Sequence, residues 1–385
     1  MSTTFPYHDS KLPNITWSIF SQMSALAEQY QAINLSQGFP NYPASDRLVA
    51  LVEKYLRGGY NQYAPMAGVV ALREVLAAKV QALYQLNVDP LDEVTITAGG
   101  TQALFTAIAS IIQPGDEVIL FEPAYDSYSP SVEVFGGKVV PIRLRGPAFK
   151  IDWDQVREAI STRTKLIIIN NPNNPSAMIF SRADLLELER LLAGTAIFLL
   201  SDEVYEHLVF DGERHHSVLE FSHLRERSFV VASFGKLLHT TGWKLGYVIA
   251  PPRLSQEFRK VHQFNVFSVN TPMQHAIAEF LTDTDTYRSL PAFFQQKRDY
   301  LASGLAMSRF RVLPSAGTYF LLIDYSGVSA LSELEFAKKL TIEHGVATIP
   351  VSSFYSIPLE QRLLRLCFAK SEDTLQQAIS ALANV

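Results

Sequence analysis

From about residue 45 to about residue 250, short β-branched runs alternate with amphipathic helical stretches, and this alternation narrows the possible folds more than any other feature. "EVTITAGG" precedes "TQALFTAIASII". "DEVILFEP" follows the turn "QPGD", and "TKLIIINNP" precedes "SRADLLELERLLAG". "TAIFLLSDEV" and "SFVVASFGK" come next. Parallel strands need long crossovers, and helical crossovers lie against the sheet faces. The pattern therefore predicts an α/β domain with helices on both sides of a mostly parallel sheet. In "SRADLLELERLLAG" Ser181 is the expected N-cap and Gly194 the residue just past the end.

After about residue 280 the pattern changes. "FRVLPSAG" and "TYFLLIDY" read as a hairpin, and "SELEFAKKLTIEHG" as a helix opened by a capping box of Ser332 with Glu335. "LLRLCFA" reads as a strand and "EDTLQQAISALANV" as a closing helix. This predicts a smaller α+β domain over residues 281–385, with the large domain over 46–280. Residues 1–45 supply an N-terminal arm, loose over its first dozen residues, and part of the small domain.

Each apolar strand of the large domain ends in polar or glycine-rich residues. Ligands of open parallel sheets bind at the carboxyl ends of the strands, so these ends are read together. After "TITA", Gly99 and Gly100 allow close backbone approach, and Thr101 and Gln102 open a helix whose free N–H groups favour a phosphate. Such junctions also occur for packing alone. Tyr125, in "FEPAYDSY", could stack on a flat ring or simply pack. In "NNPNNPSA" two Asn-Pro steps hold Asn171 and Asn174 out of helical conformation, and a fixed amide can bind a ligand oxygen. Asp202 ends "IFLLSD", with Tyr205 three residues on; a carboxylate there needs a positive partner such as a protonated pyridine nitrogen. Capping is the alternative, while a metal is disfavoured because His207 has no second ligand at suitable spacing.

"SFGKLLHTTGWKLGY" carries two lysines. Lys236 follows a strand and, in a partly dry cleft, can lose its proton and attack a carbonyl. Lys244, beyond the "TTG" turn, suits a fixed charge for a phosphate, to which Ser233 could add a hydroxyl. Together these ends ask for a phosphate, an aromatic ring, a ring nitrogen, a ring hydroxyl and an aldehyde. Pyridoxal 5′-phosphate (PLP) has all five.

Charge and composition exclude other classes. The net charge is −5 and no Lys/Arg run could track a phosphate backbone, so nucleic acid is not an expected partner. The start "MSTTFPYHDSKLPN" has no apolar signal region, and the longest apolar runs are too short to span a bilayer. The one cysteine, Cys367, cannot form an internal disulfide and fits a reducing compartment. A cytoplasmic protein is expected.

From "LSQGFPNYP" to "LLRLCFAK" the chain resembles the class I/II aminotransferases of the fold-type-I PLP enzymes, and more narrowly their bacterial methionine and kynurenine aminotransferase branch. The resemblance implies a seven-stranded, mostly parallel sheet sandwiched by helices, and a homodimer with shared active sites. It implies that Lys236 is the Schiff-base lysine and that Asp202 pairs with the pyridine nitrogen. Tyr205 and Asn174 would bind the ring hydroxyl, and Tyr125 would stack on the ring. Gly100, Thr101, Ser233 and Lys244 would hold the phosphate. Arg365 would bind the substrate α-carboxylate, helped by Asn174 and the backbone near Gly38; a guanidinium fixes a carboxylate by a bidentate pair. Tyr63 would reach into the partner's site, and cis bonds are implied before Pro123 and Pro175.

Three positions depart from the wider family: Gly235 where Ser is usual, Lys244 where Arg is usual, and "NPSA" for "NPTG". The first two fit the methionine and kynurenine branch. Thr101 and Ser268 replace an aromatic and a histidine of the kynurenine enzymes, which argues against kynurenine as main substrate. Trp17, Tyr63 and Phe267 are the candidate side-chain pocket: aromatic, uncharged, and suited to methionine, its relatives or aromatic L-amino acids. The expected reaction is two-step transamination to a 2-oxo acid. The alternatives are a PLP-dependent cysteine-conjugate β-lyase and, more remotely, a non-catalytic regulatory relative.

Overall fold

The computed structural model describes residues 10–385. The loose-arm expectation falls, for residues 1–9, outside the described residues. Seven strands form the large sheet: β1 (Val94–Thr97), β2 (Glu117–Glu122), β3 (Lys138–Arg143), β4 (Thr164–Asn170), β5 (Phe198–Asp202), β6 (Ser228–Ser233) and β7 (Gly246–Ile249). Their order is β1-β7-β6-β5-β4-β2-β3. Only β7 opposes its neighbours; β6, β5, β4, β2 and β3 pair in parallel. Being antiparallel to β7, β1 runs with the other five, so six carboxyl ends share one edge.

Side chains along these strands alternate between two apolar cores, as a strand's two-residue period requires. Ile119, Ile167, Leu199 and Val230 face one core. Val118, Leu166, Leu200 and Val231 face the other. Burial on both faces explains why these strands read as unbroken apolar runs.

Among the helices, α1 spans Ile19–Gln29, α2 Gly100–Ile111, α3 Arg182–Leu192 and α4 Glu333–Glu343. The caps fall where the sequence puts them. Ser181 and Asp184 form a capping box on α3, and Gly194, with φ of +72°, follows its C-cap. Ser332 and Glu335 form the box that opens α4.

A second sheet comprises β8 (Arg311–Val312), β9 (Phe320–Asp324), β10 (Ile349–Pro350) and β11 (Leu363–Cys367), antiparallel in the order β10-β11-β9-β8. The expected hairpin is present, Ile323 pairing with Val312. Arg365, at the centre of β11, pairs with Leu322 and Ile349. The stretch before the large sheet joins this part of the molecule: Ile33–Asn34 pairs in parallel with Val346–Ala347, and the Cys367 N–H donates to the Leu35 carbonyl at 2.8 Å.

Candidate active site

A cavity of about 320 Å³ opens where the strand ends of the large sheet meet β9 and β11. Its size suits a small cofactor with a substrate beside it.

At the end of β1, Gly99 has φ of +85° and Gly100 begins α2. Gly100 and Thr101 line the cavity. The first N–H groups of a helix have no intrahelical acceptor and favour an anion. The turn is packed tightly from behind: a Cβ on Gly246 would lie 2.7 Å from the Ala232 oxygen and 3.0 Å from the Gly100 nitrogen. Ser233 and Lys244 line the same corner, Lys244 with φ of +55°. This corner combines N–H groups, a hydroxyl and an ammonium, a donor set for a phosphate.

Gln102 sits in the first turn of α2, where its expected contribution is a backbone N–H, and its side chain is engaged elsewhere. Its side chain accepts from Ala98 N at 2.9 Å and donates to Thr106 Oγ1 at 2.7 Å, and it does not line the cavity. Two residues along a helix is a rotation of about 200°, so Gln102 points away from the side that Gly100 presents.

At the end of β4, the Asn174 N–H donates to Asn170 Oδ1 at 2.7 Å, and Asn170 Nδ2 donates to the Asp202 carbonyl at 2.9 Å. The bonds before Pro123 and Pro175 are cis as expected, and the bond before Pro172 is cis as well. Asp202, 3% exposed, ends β5. Its Oδ2 accepts from the Tyr128 hydroxyl at 2.6 Å, and its Oδ1 accepts from Val204 N at 3.3 Å. Burial pushes the carboxyl up to about 6, against the pull of those donors and of the nearby Lys236.

Lys236 follows β6. It is half-buried and lines the cavity. That burial pulls its ammonium down to about 8. Its Nζ donates to the Gly38 carbonyl at 3.1 Å and lies 5.7 Å from the Tyr205 ring. Tyr125 and Tyr205 also line the cavity. Burial holds the Tyr205 phenol well above its usual value, so it stays protonated.

Arg365, 1% exposed, faces Lys236 from β11. Nη1 donates to Asn174 Oδ1 at 2.6 Å and Nη2 to the Ser36 carbonyl at 2.7 Å, while Nε is buried without a partner. The guanidinium lies 3.8 Å from the Phe320 ring centroid. Burial lowers it to about 10, so it is charged at neutral pH. A guanidinium has five N–H groups, and the two bonds leave three for an incoming carboxylate.

Three expected pocket residues do not line the cavity of the single chain. Trp17 is 76% exposed, Tyr63 82% and Phe267 49%. Tyr63 and Phe267 pack edge to face, with centroids 5.2 Å apart. Conversely, Tyr128, Asn170, Phe20 and Tyr319 belong to the site or its support and were not singled out from the sequence. Asn170 could have been found, since it ends β4 directly before the Asn-Pro turn; Tyr128, Phe20 and Tyr319 carry no such mark, and the Tyr128 and Tyr319 hydroxyls bond Asp202 and Gly38 from far along the chain. Among the described residues no cluster of three or more His, Cys, Asp or Glu could hold a metal.

The donor corner, the buried carboxylate, the cavity-facing amine and the guanidinium with an unpartnered Nε fit PLP carrying an amino acid. The fold and this constellation define a PLP-dependent transferase of fold type I, and PLP is its cofactor. The model of the class I and II aminotransferases matches residues 30–382, and the chain belongs to that family. Methionine aminotransferase of Escherichia coli is 50% identical over 374 residues, 97% of each chain. The crystal structure of E. coli YbdL, with a methionine aminotransferase function, superposes with a TM-score of 0.96 at 49% identity over 99% of this chain and 100% of that one. N-Succinyldiaminopimelate aminotransferase of Mycobacterium tuberculosis superposes with a TM-score of 0.94 at 36% identity, over 98% and 100%. Human kynurenine–oxoglutarate transaminase 1 is 32% identical over 95% of each chain.

Proposed function

We propose that this aminotransferase takes the α-amino group of methionine, or of a similar apolar or aromatic L-amino acid, and passes it to a 2-oxo acid. The observation that carries the reading is Lys236 Nζ, set in one cavity with the Asp202 carboxylate and the Arg365 guanidinium. When bound, PLP supplies an aldehyde that captures an amine and a ring that takes up negative charge.

The residues divide the remaining work. Gly100, Thr101, Ser233 and Lys244 hold the phosphate. Asp202 sits buried where a positive ring nitrogen offsets its desolvation, and Tyr128 fixes its orientation. Tyr125 covers a ring face, and Tyr205 and Asn174 take the ring hydroxyl. Arg365 grips the substrate carboxylate and so presents the Cα hydrogen to Lys236. With its amine near neutrality, Lys236 is suited to take that proton and return it elsewhere. The uncharged aromatic residues Phe20, Tyr125 and Phe320 favour an apolar side chain over an acidic one.

Two finer points belong to the same reading. Tyr63, Phe267 and Trp17 are exposed in one chain because they serve the site of a second copy. The single buried cysteine suits a cytoplasmic setting.

Purified holoenzyme should be assayed with methionine, phenylalanine, kynurenine and aspartate against a fixed 2-oxo acid. A kcat/KM for methionine at least tenfold above that for aspartate is expected, the difference one apolar pocket can supply. Preference for aspartate overturns the substrate class. Release of pyruvate and ammonia from a cysteine conjugate, faster than amino transfer, would make the protein a β-lyase.

A further inference from the structure

Lys370, just beyond β11, is 2% exposed and has no carboxylate partner among the described residues. Its Nζ donates to the Phe39 carbonyl at 2.8 Å and approaches the Gln37 carbonyl at 3.4 Å, and it lies 4.9 Å from the Phe39 ring centroid. A buried ammonium met only by carbonyls and a ring is costly to desolvate, so its position needs a reason.

The reason lies in the segment it holds. Four consecutive carbonyls turn inward. Ser36 accepts from Arg365 Nη2 at 2.7 Å; Gln37 and Phe39 accept from Lys370; Gly38 accepts from the Tyr319 hydroxyl at 2.5 Å and from Lys236 Nζ at 3.1 Å. Lys370 thus brackets Gly38 on both sides. The approach is close, since a Cβ on Gly38 would lie 2.7 Å from Phe320 Cζ. The same segment therefore orients the guanidinium, through Ser36, and fixes the carbonyl that meets the Lys236 amine.

We propose that Lys370 is a positioning residue for the substrate carboxylate: by holding the Ser36–Phe39 strap it keeps Arg365 and Gly38 in register with Lys236. This rests on reading Arg365 as the carboxylate site. The clamp has no contact with the phosphate corner, so its loss acts on the substrate carboxylate and leaves the phosphate's hold intact.

The test uses the holoenzyme with Lys370→Met, which keeps the apolar stem and removes the donors. The KM for methionine is expected to rise about tenfold, and so is the Kd of an unreactive carboxylate, 4-(methylthio)butanoate. This is the loss expected when charge-assisted hydrogen bonds at the clamp disappear. Affinity for pyridoxamine 5′-phosphate, which forms no bond to Lys236, should stay within about twofold of wild type, since none of the strap's partners is in the phosphate corner. A merely structural role would weaken pyridoxamine 5′-phosphate and carboxylate binding together.

Unchanged KM and carboxylate Kd overturn the proposal. If Lys370→Met does not fold, Lys370→Gln takes its place with the same expected and overturning results. Failure of both to fold also overturns it, because Lys370 would then support the core. Arg365→Lys separates the two ideas. If it leaves the carboxylate Kd unchanged, the reading of Arg365 fails; if it raises the Kd and Lys370→Met does not, the inference alone fails.

Discussion

At the scale of single residues, the site stores a conflict between stability and function. Asp202 has its carboxyl pushed up to about 6 by burial, from an ordinary value of 3.8. Without cofactor, the native state therefore binds the Asp202 proton more tightly than the unfolded chain does. Stability from this group is fully present below about pH 4 and is lost as pH rises through about 6. The full difference is about 3 kcal/mol. Lys236 acts in the opposite sense and in another window: lowered to about 8, it destabilises below that pH and is relieved as pH rises toward 10.5. Asp202→Asn keeps the shape and removes the first dependence. Cofactor-free Asp202→Asn should nearly match wild type in Tm near pH 3.5 and exceed it by a few degrees at pH 7, in thermal scans. The gap should narrow once PLP binds, because the positive ring nitrogen then meets the wild-type carboxylate. Activity of the variant should fall by about two orders of magnitude or more. Parallel Tm curves across that range would remove Asp202 as the buried, ionisable partner. The residue scale is also where the sequence was most and least informative. Lys236, Asp202 and Asn174 sit at strand ends, where position alone flags them. Lys370, Tyr128 and Tyr319 act across long sequence separations; Lys370 meets Phe39 from 331 residues away, and no local pattern encodes such a meeting.

At the scale of elements, the strand-and-helix alternation was legible because strands buried on both faces must be apolar throughout, and because the caps of α3 and α4 use side chains that announce themselves. The close packing of β7 against the β1–α2 turn was not legible. Glycine in "KLGY" marks that something approaches, but not what. The structure supplies it: a Cβ on Gly246 would sit 2.7 Å from the Ala232 oxygen and 2.9 Å from the Gly99 carbonyl carbon. All of these are backbone atoms, which cannot swing aside as a side chain can. Gly246→Ala should therefore push β7 off the turn and spoil the N–H groups at the head of α2. We expect the Kd for PLP, followed by absorbance titration, to rise about tenfold or more, with a Tm several degrees lower, as for overpacking in a tight contact. Gly242→Ala, four residues earlier, has nothing within 4 Å of its added methyl. It should leave the PLP Kd within about twofold, since only local backbone entropy changes. Equal effects of the two substitutions would show that the turn tolerates displacement.

At the scale of the whole molecule, the single chain leaves its aromatic residues unevenly covered. Trp17, Tyr63 and Phe264 are 76%, 82% and 86% exposed, and Phe267 lies against Tyr63. Large exposed aromatic side chains, such as the Tyr63–Phe267 pair, favour burial against a partner. The cavity, meanwhile, has no lining from Tyr63 or Phe267 of its own chain. The proposed two-fold dimer, lending Tyr63 to the opposite site, would account for both facts. The arrangement makes a prediction that no monomeric enzyme satisfies. Tyr63→Ala and Lys236→Ala homodimers should each be nearly inactive, for different reasons. In a hybrid of the two, one site combines Lys236 of the first chain with Tyr63 of the second and is intact, while the other site lacks both. Random reassociation of equal amounts makes half the dimers hybrid, each with one working site. The mixture should then recover about a quarter of the wild-type rate. Co-refolding the two variants and assaying methionine amino transfer measures this directly. No gain over the sum of the separate variants would mean that each chain completes its own site and that the exposed aromatic residues serve another purpose.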